Sequence, residues 1–221
     1  MINSYEEHPY PSFYNNDIEY LIIGSFPPIK LTSKIIGNDE LGRLYSAFTR
    51  CFNKNTDIDF YYGSEDNYFW PLLRKIYNKE LSNPKEIKDF LKKMKFGITD
   101  LFEKCRRKII KGKIDSSDKR LIDQDIRKIN DIFKACTKLK TIYFTSKWVF
   151  IQFKKNHQND FNYNFEILES PSKSYNRYIG RIPEYKRRKH EYPNYNTCQY
   201  RLEKYREKLP FIEAQSGQNN C

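Results

Sequence analysis

The apolar and polar positions divide the chain into strands and helices that follow one another in turn. Tyr20-Leu-Ile-Ile-Gly-Ser-Phe-Pro-Pro28 is a continuous apolar run closed by Gly24 and two prolines, which predicts a strand buried on both faces and then a loop. Phe69, Leu72, Leu73 and Ile76 recur at i, i+3, i+4 and i+7 behind the cap candidates Asp66 and Asn67, so an amphipathic helix begins there. A second helix is marked by Asn83 as N-cap, Pro84 in its first turn and Glu86 as capping-box acid, with Ile87, Phe90, Leu91 and Met94 on one face. Phe96 to Phe102 reads as a strand, and Asp115-Ser-Ser-Asp118 is expected to open a helix that turns Ile122, Ile126, Ile129 and Phe133 inward. Leu139 to Thr145 is β-prone, Ser146 can cap a helix running through Phe153, and Phe161 to Leu168 supplies a last strand. Glu169 to Tyr175 is polar and interrupted by Pro171, hence a loop.

Strands alternating with helices imply a parallel sheet covered on both faces. The expected fold is α/β: a three-layer α/β/α sandwich with a central, mainly parallel four-stranded sheet. No Gly/Ser-rich or Pro-rich stretch interrupts the chain, so residues 1–221 are read as a single domain, with about 1–16 and 210–221 flexible. Ligands of such sheets bind beyond the carboxyl ends of the strands, which singles out Ser25 to Pro28, Thr145-Ser146 and Ser170 to Ser174.

Hydrophobic residues make up 38% of the chain and include 16 Phe and 18 Tyr, whose large rings support a sizeable core. The balance of 40 Lys and Arg against 28 Asp and Glu leaves a net charge of +12, which attracts polyanions. A Lys-rich, Asn-rich composition also follows from an AT-biased genome, so charge alone does not identify nucleic acid. The cysteines, Cys51, Cys105, Cys136, Cys198 and Cys221, are odd in number and never spaced Cys-x-x-Cys, which argues against a disulfide framework or a zinc site and fits a reducing cytosol. No signal-peptide pattern and no apolar run of membrane-span length are present, so a cytoplasmic protein without membrane contact is expected. From Arg181 to Lys208, cations including Lys186, Arg187 and Arg188 interleave with Tyr185, Tyr192, Tyr195, Tyr200 and Tyr205. That mixture suits phosphates and exposed bases. The last part, around Tyr200 and Leu202 to Leu209, also reads as a terminal helix packed on the core.

Three separated segments resemble the uracil-DNA glycosylase superfamily, closest to its hypoxanthine-DNA glycosylase and mismatch-specific branches. The first is Leu21-Ile-Ile-Gly-Ser-Phe-Pro-Pro28 with Tyr61-Tyr-Gly-Ser-Glu-Asp-Asn-Tyr-Phe-Trp70, in which Asn-x-Phe-Trp is the most specific element. The second is Phe96-Gly-Ile-Thr-Asp-Leu-Phe-Glu-Lys-Cys-Arg-Arg107 with Ile114-Asp-Ser-Ser117, and the third is Leu168-Glu-Ser-Pro-Ser-Lys-Ser-Tyr-Asn176. The resemblance implies a monofunctional hydrolase that rotates a nucleotide out of DNA, because the glycosidic bond is out of reach inside a stacked duplex. It places Asn67 where an amide aligns water against an oxocarbenium-like sugar, and Phe69 where a ring stacks on the base. Gly24, Ser25, Phe26, Pro27, Tyr62, Thr145 and Ser146 then belong to the base pocket, with backbone N–H groups after Gly24 facing the charge that develops on the base. Ser170, Pro171, Ser172, Lys173, Ser174 and Tyr175 would meet the DNA, with Arg106 and Arg107 of the second segment; Lys186, Arg187 and Arg188 are added from the basic tail, which is not part of the family pattern.

Departures from the family pattern are Phe26 where some branches carry an acid or Asn, Thr145-Ser146 in place of Asn-Gly, and Glu169 in place of Pro or His. These leave the base open among uracil, hypoxanthine and related lesions. The expected partner is DNA, double- or single-stranded, bound by a monomer that needs neither cofactor nor metal. Two other readings remain: a base-flipping protein that does not cut, and a metal-dependent nuclease using Asp57 and Asp59 or Asp123 and Asp125.

Overall fold

The computed structural model describes residues 5–32, 34–35, 56–108, 117–157 and 162–210. In chain order the elements are β1 (Glu6–Glu7), β2 (Tyr20–Gly24), β3 (Lys34–Ile35), α1 (Phe69–Tyr77), α2 (Pro84–Lys93), β4 (Phe96–Asp100), β5 (Phe102–Arg107), β6 (Leu121–Ile126), α3 (Ile129–Ala135), β7 (Thr141–Phe144), α4 (Lys147–Asn156), β8 (Asn164–Ile167), α5 (Asn176–Ile179), α6 (Pro183–Glu191) and α7 (Thr197–Lys208). Strands β4, β2, β7 and β8 form the expected parallel sheet in that order. Its inner strands are buried at nearly every position and apolar but for Thr141, because both faces are covered. Leu21 and Ile23 of β2, with Ile142 and Phe144 of β7, pack on one face against Ile129 and Ile132 of α3 and Val149 and Phe153 of α4. Ile22 and Tyr143 point to the other face, against Trp70, Leu72 and Leu73 of α1, Ile87 and Leu91 of α2 and Tyr205 of α7.

The capping signals at Asn83 and Ser146 act where the sequence placed them, whereas the N-cap of α1 is Tyr68, which makes no side-chain cap bond, and not Asp66 or Asn67. Asn83 accepts the Glu86 N–H at 3.0 Å, and the Glu86 carboxylate reaches back to Ser82 N–H at 2.8 Å. Ser146 accepts the Val149 N–H at 3.2 Å and starts α4. At the other end, α7 opens with a complete capping box between Asn196 and Gln199.

One expectation fails in part. The helix expected from Asp115 to Phe133 forms only from Ile129, as α3, with Ile129 buried and Phe133 against the core; before it Asp118–Arg120 is a 3-10 turn, Leu121–Ile126 is strand β6, and Ile122 and Ile126 are 40% and 36% exposed. Asp115 and Ser116 lie outside the described residues. The helical spacing is outweighed because β5 offers an open edge whose backbone groups need partners, and β6 supplies them. Irregular register and a left-handed Asp123 (φ 48°) fit a bulged edge strand. Of the N-terminal stretch expected to be flexible, residues 1–4 lie outside the described residues and the rest carries backbone pairing. Residues 5–16 are ordered by β1, which pairs with β3 and β5 in a second, antiparallel sheet, and by Phe13, which exchanges backbone hydrogen bonds with Ile98 at 2.8 and 2.9 Å.

That second sheet encloses an ion pair. Arg107 Nε donates to Glu6 Oε1 at 2.9 Å, Arg107 Nη2 donates to Pro27 O at 2.7 Å, and both side chains are 1% exposed. Burial pushes the Glu6 carboxyl up, and Arg107 pulls it back down. Arg107, expected on the DNA face, is therefore interior: its sequence neighbour Arg106 is on the opposite side of an alternating strand, against the Tyr5 ring and Asp123. Arg107→Ala strands a buried carboxylate and is expected to cost about 3–5 kcal/mol of unfolding free energy in urea titrations, whereas Arg187→Ala on the exposed face of α6 changes it by less than about 0.5 kcal/mol.

Candidate active site

The parallel strands end at one level. Gly24 is opposite Asp100 and Ile23 is opposite Phe144, so the residues that follow each strand share one rim. A cavity of about 430 Å³ opens there, walled by Ser25 to Ile29, Tyr61, Tyr62, Ser64 to Asn67, Asp100, Asp118, Thr145, Ser146, Ser170 to Ser172 and Tyr10. Ser25, Phe26, Pro27, Tyr62, Asn67, Thr145, Ser146, Ser170, Pro171 and Ser172, named from the sequence in four separate segments, thus meet in one place.

Asn67 is held beside the Ser/Pro loop by backbone pairing. Tyr68 N–H donates to Pro171 O at 2.8 Å, Lys173 N–H donates to Asp66 O at 2.9 Å, and Asn67 forms an antiparallel bridge with Ser172. Its Oδ1 accepts the Phe69 N–H at 2.9 Å, orienting the amide at the start of α1 while leaving a lone pair for a second donor. The loop itself is clamped from behind by Arg201 of α7, which is fully buried. Arg201 donates to Ser170 O at 2.8 Å, Ser172 O at 2.9 Å and Asn176 Oδ1 at 2.7 Å. Its guanidinium also lies against the rings of Tyr68 and Tyr175.

Asp100 is the best-secured group in the cavity wall. Tyr62 Oη donates to its Oδ1 at 3.1 Å, and His8 Nε2 is 2.9 Å from its Oδ2. Because His8 Nδ1 accepts the Tyr10 N–H at 3.1 Å, the ring proton belongs on Nε2, where it donates to the carboxylate. Burial lowers the His8 pKa against the pull of Asp100, which keeps the ring neutral. Tyr62 is held in the left-handed region (φ 56°), an arrangement that costs a bulky residue about 1–3 kcal/mol. Desolvation together with Asp100 holds its hydroxyl protonated. On the opposite wall, Ser25 Oγ donates to Asp118 Oδ1 at 2.6 Å.

Several residues named from the sequence stand elsewhere. Phe69 is fully buried, not on the cavity wall; its ring packs 4.6 Å from Tyr62 and 5.0 Å from Trp70, because the first turn of α1 faces the core. The rings on the wall are Phe26, Tyr10, Tyr61 and Tyr62. Gly24 is behind the wall: a Cβ there would sit 2.0 Å from Tyr62 Oη and 2.3 Å from Asp100 Oδ1, so the glycine makes room for that hydrogen bond and not for a ligand. Arg188 is ion-paired with Glu203 at 2.9 Å, while Lys186 and Arg187 are exposed on α6 and make no ion pair among the described residues. Lys173 and Ser174 are exposed beside the loop, and Tyr175 stacks on Tyr178 at 5.5 Å.

Sequence reasoning missed His8, Asp100 and Asp118. Asp100 was legible as an acid at the end of a buried strand, where a charge is costly unless used. His8, which follows β1 and bonds Asp100 from behind the wall, and Asp118, which precedes β6 and lines the cavity, are placed by the second sheet, which local patterns did not reveal. Among the described residues no group of three His, Cys, Asp or Glu side chains forms a metal site, and no helix is long and apolar enough to cross a membrane.

This is an α/β architecture with its cavity at the strand ends. A solution NMR structure of a protein from Methanosarcina acetivorans, named as a candidate uracil DNA glycosylase, shares the fold with a TM-score of 0.51 at 19% identity, over 89% of this chain and 98% of that one. The chain matches no family model and no curated protein.

Gly24→Ala is expected to lower stability by about 1–3 kcal/mol by driving a methyl group into Tyr62 and Asp100. Adding Tyr62→Phe, which removes the nearest clashing atom, should recover part of that loss; strict additivity in a double-mutant cycle of melting curves would contradict the contact.

Proposed function

We propose that the chain is a monofunctional DNA glycosylase of the uracil-DNA glycosylase superfamily, which everts a deaminated or modified base such as uracil or hypoxanthine and hydrolyses its N-glycosidic bond. The observation that carries this reading is the backbone pairing of Asn67 with Ser172. It joins, at one cavity, the amide that the resemblance assigns to water and the Ser/Pro loop it assigns to DNA. The likeness in fold to the Methanosarcina acetivorans protein supports it.

In this reading the base enters between Phe26 and Tyr62, which take over the stacking surface from Phe69. The amide oxygen of Asn67 accepts a hydrogen bond from water and aims it at C1′. Positioning suffices, because the oxocarbenium-like sugar is a strong electrophile. Hydroxyls and N–H groups of Ser170, Ser172 and Ser174 hold the flanking phosphates, with Lys173 adding charge. Lys186 and Arg187 extend the contact along the duplex. The product is an abasic site, released by a cytoplasmic monomer.

The test is incubation in chelator with oligonucleotides carrying uracil, hypoxanthine, xanthine or modified cytosines, followed by alkali to cut abasic products. Cleavage at one or more of these bases is expected. Asn67→Ala should lose about 100-fold or more in single-turnover rate while keeping its affinity for DNA. Abolition of activity by chelator would favour the nuclease, and DNA binding without release of any base would favour a non-cutting relative.

A further inference from the structure

Resting on the glycosylase reading, we propose that Asp118 is a second catalytic residue: it lends a proton to a ring nitrogen of the departing base, which selects purines over uracil. The argument begins with the charge of the wall. In a chain of net charge +12, the described residues lining the cavity include Glu65, Asp66, Asp100 and Asp118 but no Lys, Arg or His. A base leaving as an anion meets like charge there. A base protonated as it leaves departs neutral. Purines carry basic lone pairs on N3 and N7, whereas uracil offers only weakly basic carbonyl oxygens.

Of the four acids, Asp118 has the geometry for the transfer. Its Oδ1 takes the Ser25 hydroxyl at 2.6 Å, its side chain makes no other hydrogen bond and no ion pair among the described residues, and the residue lines the cavity. Arg107, the nearest cation on β5, is committed to Glu6 and Pro27 O. Asp100 at the end of β4 presents like charge, Glu65 and Asp66 stand on the turn that forms another part of the wall, and Lys119 and Arg120 share the turn of Asp118 itself. Asp100 already has Tyr62 and His8 as donors, so it is anchored where Asp118 is free to exchange. Loss of hydration holds the Asp118 carboxyl up at about 6, with Ser25 and Arg107 opposing and Asp100 reinforcing. A carboxyl titrating there is in the range a general acid needs near neutral pH.

The step balances without another reactant. The C1′–N9 bond breaks with both electrons going to N9, the Asp118 proton passes to N7 or N3, and the base leaves neutral. Water then adds to C1′ and releases a proton that restores the Asp118 carboxyl.

The experiment measures single-turnover release of hypoxanthine, 7-deazahypoxanthine, 3-deazahypoxanthine and uracil from matched oligonucleotides by the wild type, Asp118→Asn and Asn67→Ala between pH 5 and 8. Wild-type release of hypoxanthine should fall as pH rises through about 6, and one of the two deaza bases should be cut about 100-fold more slowly than the parent. Asp118→Asn should lose a similar factor on hypoxanthine, flatten the pH profile and cost nothing further on the slow analogue, while retaining affinity for DNA with a tetrahydrofuran abasic analogue. Equal wild-type rates on the parent and both analogues overturn the proton transfer, and this comparison does not depend on any variant folding. Uracil release with purines untouched overturns it too but leaves the glycosylase standing. Release of no base from any oligonucleotide overturns both.

Discussion

The site depends on the parallel register of four strands whose ends coincide. Gly24 is paired with Asp100, Ile23 with Phe144, and Phe144 with Ile167. The ladder continues one residue further at three points: Leu101 N–H donates to Gly24 O, Thr145 N–H to Ile23 O and Leu168 N–H to Phe144 O, at 2.8, 3.0 and 2.8 Å. These bonds satisfy strand-end carbonyls that would otherwise be buried without partners. They also fix the direction in which each loop departs, so Ser25, Thr145 and the Leu168–Ser170 segment reach the same rim without further adjustment. A one-residue slip of β2 would turn Leu21 and Ile23 to the wrong layer, which makes the register expensive to change.

The rest of the rim is assembled from outside the sheet, and α7 is its scaffold. Arg201 is buried among two carbonyls, an amide oxygen and two aromatic rings. Burial lowers its pKa, yet a guanidinium remains charged. Three well-placed acceptors offset its lost hydration and in return fix the backbone of Ser170 and Ser172. Tyr205 Oη adds a bond to Glu169 O at 2.9 Å. Through the Asn67–Ser172 bridge, this clamp extends to the amide at the head of α1. The helix that composition made a charged tail is the part that sets the distance between Asn67 and the loop.

Legibility in the sequence followed the range of the interactions. The strand Tyr20–Gly24, the caps Asn83 and Ser146, and the α1 face of Leu72 and Leu73 are decided within a few residues, and their local signals were sufficient. Phe69 was ambiguous because a ring at a helix start can face either the core or a cleft, and only the position of Tyr62 above it decides. The second sheet was invisible for a different reason. Glu6 and Arg107 are 101 residues apart, and neither β1 nor β6 carries a periodicity of its own. Ile122 and Ile126 extended the helical spacing of Ile129 backwards into a segment that a neighbouring strand edge claimed instead.

Charge divides in the same way between long and short range. The excess of cations is spread over the surface, where its summed field extends about 8–10 Å at ordinary salt and draws any polyanion without choosing an orientation. Arg107 and Arg201 cannot add contacts of their own, since Arg107 is sealed on Glu6 and Arg201 on backbone carbonyls. Inside the cavity the sign reverses, and Asp100 and Asp118 act over hydrogen-bond distances in a partly dehydrated space where each charge weighs far more. A ligand is therefore attracted by one field and examined by another of opposite sign. Under the proposed glycosylase reading, a nucleotide would meet both conditions by keeping its phosphates outside on the Ser/Pro loop while its base, an N–H donor or a proton acceptor, goes in alone.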